Sequence, residues 1–395
     1  MTATPRTTAK PVDVAAYFFP GYHADPSTSR WHGNDWTEWE LVRDARPRYP
    51  GHRQPRVPAW GYFDEADPLW AMRQAQEAKA AGIGAFIFDW YWYNNGPFLN
   101  GALDNGFLAS SELPIDFAIM WANHDWLNIH PASAAHPPHA LFRGRVSDAE
   151  FDRMADTIIE RYFAHPRYYR IEGDSYFSIY EPQTFIDGMG GPLQAARAIE
   201  RFRERSSVAG VGDIHVNIVT SERAVLPGER TSTDLAATVR DFAAASVTSY
   251  VWIHHYDPST HGFPQGDYDQ AQHFNQLVWA ARRRDLSIPY FPNVTVGWDS
   301  SPRVISTDSF ENRGYPWTAV LDSAPQQYEA ALTAAIDFAA ADPSRSPGLV
   351  TINAWNEWTE GSYLLPDDDH GMSFLDATAR ATKNMPAPVR AGVAN

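Results

Sequence analysis

Eight short, almost continuously apolar runs alternate with helix-like stretches along this chain, and no other feature restricts its fold as tightly. The runs are Val14–Tyr22, Gly84–Trp92, Ile115–Trp126, Tyr176–Glu181, His215–Ser221, Val247–His255, Tyr290–Trp298 and Leu349–Trp355. Helical patterns fall at Asp67–Ala81, Asp148–Phe163, Pro192–Ser206, Asp234–Ala244, Tyr268–Arg284, Pro325–Ala341 and Ser373–Lys383. Strands apolar on both faces suit a parallel sheet covered by helices. Eight such units predict an α/β fold, a single (β/α)8 TIM barrel, with an open doubly wound sheet as the alternative. No Gly/Ser linker or internal repeat divides the 395 residues, so one barrel over 14–385 is expected, with tails at 1–13 and 386–395.

Long irregular stretches at 23–66, 127–146, 222–233, 256–266 and 299–324 each begin just past the C-terminal end of a predicted strand. Barrel enzymes build their sites at that end. The residues there are His23, Asp89, Trp90, Trp121, Asn123, His124, Trp126, Tyr180, His254, Tyr256, Trp298, Asp299 and Asn356, with Trp36 and Glu38 in the first long loop. They mix aromatics with carboxylates, amides and imidazoles, and the chain carries 15 Trp, 18 Tyr and 21 Phe. Flat rings stack on the apolar faces of sugars while placed polar groups take the hydroxyls, so these fifteen residues are candidate substrate-binding positions.

The net charge of −16 repels phosphate backbones and argues against nucleic acid as the main partner. No segment approaches the roughly 20 apolar residues of a membrane span, and no membrane partner is expected. The absence of cysteine excludes thiolate catalysis and thiolate metal sites. The polar start MTATPRTTAKPVD lacks an apolar signal core, so the chain as written is expected in the cytoplasm, with secretion the alternative if a leader has been removed. His254, His255 and Asp257 resemble metal ligands, but adjacent strand residues face opposite ways. Asp367, Asp368, Asp369 and His370 read as a solvated charge run. Neither metal nor cofactor is expected.

Glu357 and Glu360 are the sharpest candidates for catalysis. Three residues apart, they share a pocket only if the strand ends between them, and Gly361 gives the chain freedom to turn. Glycoside hydrolysis needs one protonated and one ionised carboxyl group, and a partly apolar pocket pushes the two pKa values apart. Trp355 and Trp358 are the expected wall of that pocket. The alternative is a solvated turn with two surface glutamates beside core tryptophans.

The ordered segments YFFPGYH at 17–23, WTEW at 36–39, YPGHRQPRVP at 49–58, FDWYWY at 88–93, WANHDW at 121–126, VGWDSSPR at 296–303 and NAWNEWTEG at 353–361 complete the pattern. With them the chain resembles WbsX-like proteins, relatives of glycoside hydrolase family 99, the endo-α-mannosidases and endo-α-mannanases. The resemblance implies a (β/α)8 barrel acting on α-linked oligosaccharide or polysaccharide with retention. It further implies that Glu360 is general acid and base, and that Glu357 deprotonates the sugar 2-hydroxyl, which attacks the anomeric carbon to give a 1,2-anhydro sugar. One position departs: relatives commonly carry Glu where this chain has His124, with Asp125 beside it. A glycosyltransferase of surface-polysaccharide biosynthesis and a non-catalytic sugar-binding barrel are the alternatives. The chain has no G-x-G-x-x-G, no P-loop and no D-x-D in a strand–helix context to hold a nucleotide sugar.

Overall fold

The computed structural model describes residues 12–231, 234–341 and 348–383. Eight parallel staves form a ring: β1 (Val12–Phe18), β2 (Ala85–Tyr93), β3 (Asp116–Trp121), β4 (Asp174–Ile179), β5 (Ile214–Val219), β6 (Ser246–Thr248), β7, and β8 (Gly348–Asn353). Stave β7 comes in two pieces, Tyr290–Phe291 and Asn293–Thr295. The first piece pairs with β6 (Val247 opposite Tyr290) and the second with β8 (Val294 opposite Ile352). Pro292 lies between them; proline has no N–H for a ladder, so the stave breaks there. Its carbonyl still accepts from Thr351 N at 3.0 Å, and β8 pairs with β1 to close the barrel.

Both faces of the staves are covered, and all nine residues of β2 are buried. Asp67 caps the helix Pro68–Ala80 by accepting from Leu69 N at 2.9 Å. That helix ends at Gly82, whose φ of 85° and missing Cβ matter together: a methyl there would lie 2.2 Å from Thr382 Oγ1. The β2–β3 crossover has no α-helix but a π-turn, Ala102–Gly106, and a 3-10 turn, Phe107–Ala109. Phe107 packs there against Phe86, Phe88 and Phe117.

The staves are shorter than several of the apolar runs. The third run extends to Trp126, but its stave ends at Trp121; Trp126–Leu127 leaves the barrel to pair with Ala140–Phe142. Asn123 turns the chain by donating to Glu181 O at 2.8 Å and accepting from Glu181 N at 2.7 Å, a side-chain alternative to the ladder. The sixth run extends to His255, but the chain leaves the ladder after Thr248 and enters a 3-10 turn, Trp252–His254. The first stave starts at Val12, two residues inside the expected tail; the rest of that tail, residues 384–385 and the tail at 386–395 lie outside the described residues.

The barrel floor is polar. Ser178 Oγ donates to Asn217 Oδ1 at 2.9 Å, Asn217 Nδ2 to Ser246 Oγ at 2.8 Å, and Asn293 Nδ2 to Thr351 Oγ1 at 3.1 Å. These buried groups satisfy one another, as a polar core must.

Candidate active site

Past Asn353 the chain folds into a tight hairpin. Asn356–Glu357 pairs antiparallel with Ser362–Tyr363 around the 3-10 turn Trp358–Glu360. Glu357 stands at the N-cap of that turn and Glu360 at its end, and both carboxylates project toward Arg303. Gly361 closes the turn at φ 63°, and a Cβ on it would sit 2.6 Å from Asp299 Cβ and 2.9 Å from Asp299 N. Its left-handed conformation and the close approach of a neighbouring backbone both require glycine.

Both glutamates line one cavity of about 60 Å³ at the C-terminal mouth. That is room for a few waters, enough for a hydrolytic one. Arg303 clamps the pair: Nη2 donates to Glu357 Oε1 at 2.9 Å and Nη1 to Glu360 Oε1 at 2.7 Å. The same guanidinium reaches Glu38 Oε2 at 3.1 Å. Tyr315 Oη adds a bond to Glu360 Oε1 at 2.8 Å, and Thr359 Oγ1 donates to Glu38 Oε2 at 2.5 Å. These bonds to the two catalytic candidates all end on Oε1. Among the described residues, Oε2 of each is thus left to the cavity.

Burial pushes Glu357 well above the ordinary carboxyl range and Glu360 above it, the Arg303 guanidinium opposing and neighbouring carboxylates adding to the rise. One guanidinium faces three carboxyl groups here. The glutamates therefore titrate as a pair, and the first proton is held to higher pH than on a solvated carboxyl.

The rest of the wall follows strand parity. On β2, Asp89 and Tyr91 face the cavity. Asp89 Oδ2 accepts from Tyr250 Oη at 2.7 Å, while Oδ1 is buried without a partner, and burial pushes its pKa well up. His124, Trp126, Tyr180, His254 and Trp298 also line the cavity. Glu229 holds Tyr180 Oη at 2.8 Å and His254 Nε2 at 3.2 Å. Burial would raise Glu229, but His254, the Val225 amide and Tyr180 hold it down at about 2. Asp125 beside His124 is committed to its own loop, Oδ1 accepting from Gly144 N at 2.9 Å and Oδ2 from Arg143 at 2.6 Å.

Nine of the fifteen candidate binding positions sit elsewhere, each for a local reason. Trp90 and Trp121 have the opposite parity to their cavity-facing neighbours: Trp90 Nε1 donates to Tyr162 Oη at 3.2 Å, and Trp121 packs on Phe151 and Phe185. His23 is buried against Gly101, and Asn123 is spent on the Glu181 backbone. Asn356 ties the hairpin to β1, accepting from Phe19 N at 2.8 Å and donating to Phe19 O and to Glu65. Glu38 and Asp299 lie one layer back, Glu38 on Arg303 and Asp299 on His52 and Gln54 at 2.8 and 2.7 Å. Trp36 stacks on His32 in the outer loop, and Tyr256 packs on Phe274 in a separate surface groove. The expected tryptophan wall is also absent: Trp355 Nε1 donates to Gln74 at 2.8 Å behind the hairpin, and Trp358 stacks on Tyr363 at 3.8 Å.

Tyr91, His130 and Tyr250 line the cavity, and Glu229, Tyr315 and Arg303 hold its polar groups; the sequence pattern puts Tyr91 at a strand end and Arg303 in a loop bordering the pocket, and gives no sign of the other four. Parity from Asp89 is enough to find Tyr91. The others sit in irregular loops or beyond a stave's end, where periodicity carries no signal. Among the described residues, no group of three or more His, Cys, Asp or Glu side chains is placed to hold a metal ion.

A closed (β/α)8 barrel with a paired-carboxylate cavity at its C-terminal mouth defines the class. The chain belongs to the family described as "Glycosyltransferase WbsX", whose model matches residues 14–378. Two proteins from Xanthomonas campestris pv. campestris, each described as "Uncharacterized protein WxcX", are 28% identical to it over 388 and 385 residues, 98% and 95% of this chain. The chain spans about half the length of these curated relatives, 51% and 50%. Among solved structures, a glycoside hydrolase family 99 endo-α-mannosidase from Bacteroides thetaiotaomicron matches with a TM-score of 0.56 at 15% identity, covering 94% of this chain and 97% of that one. A "glycoside hydrolase-like protein" matches with a TM-score of 0.59 at 12% identity, covering 96% and 97%. At these identities the likeness is one of fold.

Proposed function

We propose that this barrel is a glycoside hydrolase cleaving an α-linked glycan, with mannose-containing chains the first to test, and that Glu357 and Glu360 are its carboxylate pair. The observation that carries the reading is the shared clamp. One guanidinium fixes Oε1 of both glutamates, and each keeps Oε2 for the cavity. Hydrolysis needs two carboxyl groups in different protonation states flanking one bond. A buried pair beside one cation holds one proton between its two members, and the retaining route takes that proton on Glu360 although burial raises Glu357 further. In the retaining route Glu360 protonates the leaving oxygen while Glu357 takes the proton of the 2-hydroxyl, whose oxygen closes on the anomeric carbon as the glycosidic bond breaks. Water then opens the 1,2-anhydro sugar, giving its proton to Glu360 and its oxygen to the anomeric carbon, and the 2-hydroxyl regains the proton from Glu357.

On this reading Asp89, Tyr91, His124, Trp126, Tyr180, Tyr250, His254 and Trp298 bind the sugar, the substrate is an oligosaccharide or polysaccharide, and residues 14–385 form the catalytic unit. No helix among the described residues is long and apolar enough to cross a membrane. The test is a screen of α-linked oligosaccharides with product stereochemistry followed by NMR. Release of reducing ends with retained α-configuration is expected. Release of the β-anomer would overturn the retaining route, and no cleavage of any α-glycan would overturn the assignment.

The family description favours one second reading, transfer of a sugar from an activated donor. Incubation with nucleotide sugars and an acceptor glycan decides it: a lengthened acceptor supports transfer, and free sugar with an unchanged acceptor does not.

A further inference from the structure

We infer that the cavity selects sugars bearing a methyl-terminated substituent where a common hexose carries a bare hydroxyl or amine, an inference that rests on the reading of this cavity as a glycan site. The two sides of the mouth differ in chemistry. The acidic and cationic groups come from the loop of Arg303 and the hairpin after β8, with Asp89 on β2. The opposite arc, built from β3 and the loops after β3, β5 and β6, presents Met120, Leu127, Ile129, Val225, Leu226 and Val251 to the same cavity.

A shelf of six aliphatic side chains is poor at holding hydroxyls unless polar groups among them have spare hydrogen-bonding capacity. Several of those on this arc are engaged with one another. Tyr180 Oη is shared between Glu229 and His254 Nε2, and His124 Nδ1 meets Asp125 O at 3.0 Å. Among the described residues of this arc, Trp126 Nε1, His130 Nδ1 and His254 Nδ1 are the buried polar atoms without a partner. A sugar hydroxyl against the aliphatic side chains, out of reach of those three atoms, would lose its water and gain little in return. A methyl group would lose nothing polar and would bury apolar surface against Met120 and Val251, which are 1% and 2% exposed. A 6-deoxy position and an N-acetyl group end in the same methyl, so the shelf's chemistry admits either source.

The test is saturation-transfer NMR on the full chain carrying Glu360→Gln, so that binding is read without turnover. The probes are matched pairs: D-mannose against 6-deoxy-D-mannose, D-galactose against 6-deoxy-D-galactose, and D-glucosamine against N-acetyl-D-glucosamine. The methyl-bearing partner of at least one pair should bind about 10-fold tighter or more, the range one apolar group commands in a fitted pocket. Saturation should be strongest on its methyl protons. Preference in the first two pairs identifies a deoxy sugar, and preference in the third an acylated one. Leu226→Asn, at a half-buried loop position that tolerates a polar side chain, should shrink the preference to about threefold or less. Equal binding within every pair, or none in any, overturns the inference. A chain that cleaves α-glycans but shows no methyl preference keeps the proposed function and loses the shelf. One that binds the methyl sugar yet cleaves nothing keeps the shelf and loses the proposed function.

Discussion

Across the barrel mouth, the hairpin after β8 and the loop of Arg303 stand against the loops after β3 and β5, and the two sides handle buried polarity differently. On the first side three carboxyl groups converge on one guanidinium, and each catalytic candidate keeps an oxygen for the cavity. On the second, Glu229 has every neighbour it needs: two loop amides, a tyrosine and a histidine. Glu229 is accordingly held at about 2, whereas Glu357 and Glu360 are pushed upward. The lesson is that burial alone does not set a carboxyl's state. The count of hydrogen bonds and opposite charges around it decides whether desolvation wins. One side is organised as a structural brace, and the other is left under electrostatic stress of the kind catalysis uses.

The largest effect that would break this comparison is on chemistry. Glu360→Gln removes a titrating proton while keeping shape, so turnover of a cleavable α-glycan should fall by about 10³-fold or more with binding retained. Steady-state kinetics beside calorimetric titration check it, and an active variant would put Glu360 on the bracing side.

Next comes stability. Arg303→Met leaves the three carboxyl groups without their cation and should cost about 3–5 kcal/mol at pH 7 in urea unfolding. The sign with pH follows from Glu357 and Glu360, whose raised folded pKa values mean that the native state holds more protons than the unfolded chain above the ordinary range. Stability from these groups therefore falls as pH rises, and the cost of Arg303→Met should shrink as the solution is acidified and the carboxylates are neutralised. A cost independent of pH would contradict the clamp.

The smallest effect sharpens the contrast at Asp299, which belongs with Glu229 although it lies beside the hairpin. Burial would raise it, but His52, the Ser301 amide and Gln54 hold it at about 2. A depressed folded pKa gives stability that is present above the unfolded value, near 4, and is lost as pH falls toward 2. Asp299→Asn should cost about 2 kcal/mol at pH 7 and progressively less in acid. A constant difference across that window would mean that the loss is one of packing.

The barrel was legible because its rule is local: apolar runs alternating with helical stretches need no knowledge of what touches what, and all eight staves lie within or against the predicted runs. Their ends were less legible, since Pro292 lacks an N–H for the ladder and Asn123 turns the chain with side-chain hydrogen bonds, and apolar content registers neither. At the site, six of the fifteen binding candidates line the cavity with both glutamates, and parity explains Trp90 and Trp121, because a residue next to an inward-facing one must face out.

The sequence by itself determined the eight-stave barrel and set Glu357 and Glu360 side by side in a short segment past its last strand, because each is encoded within a few neighbouring residues. Only the tertiary structure decided that Arg303, 54 and 57 residues before them, clamps the pair, that Trp355 and Trp358 turn away from the cavity, and that one arc of the mouth is aliphatic. Those outcomes depend on which loops meet over the barrel and which charges share a dry space. Both are set by long-range packing, and no stretch of chain records them.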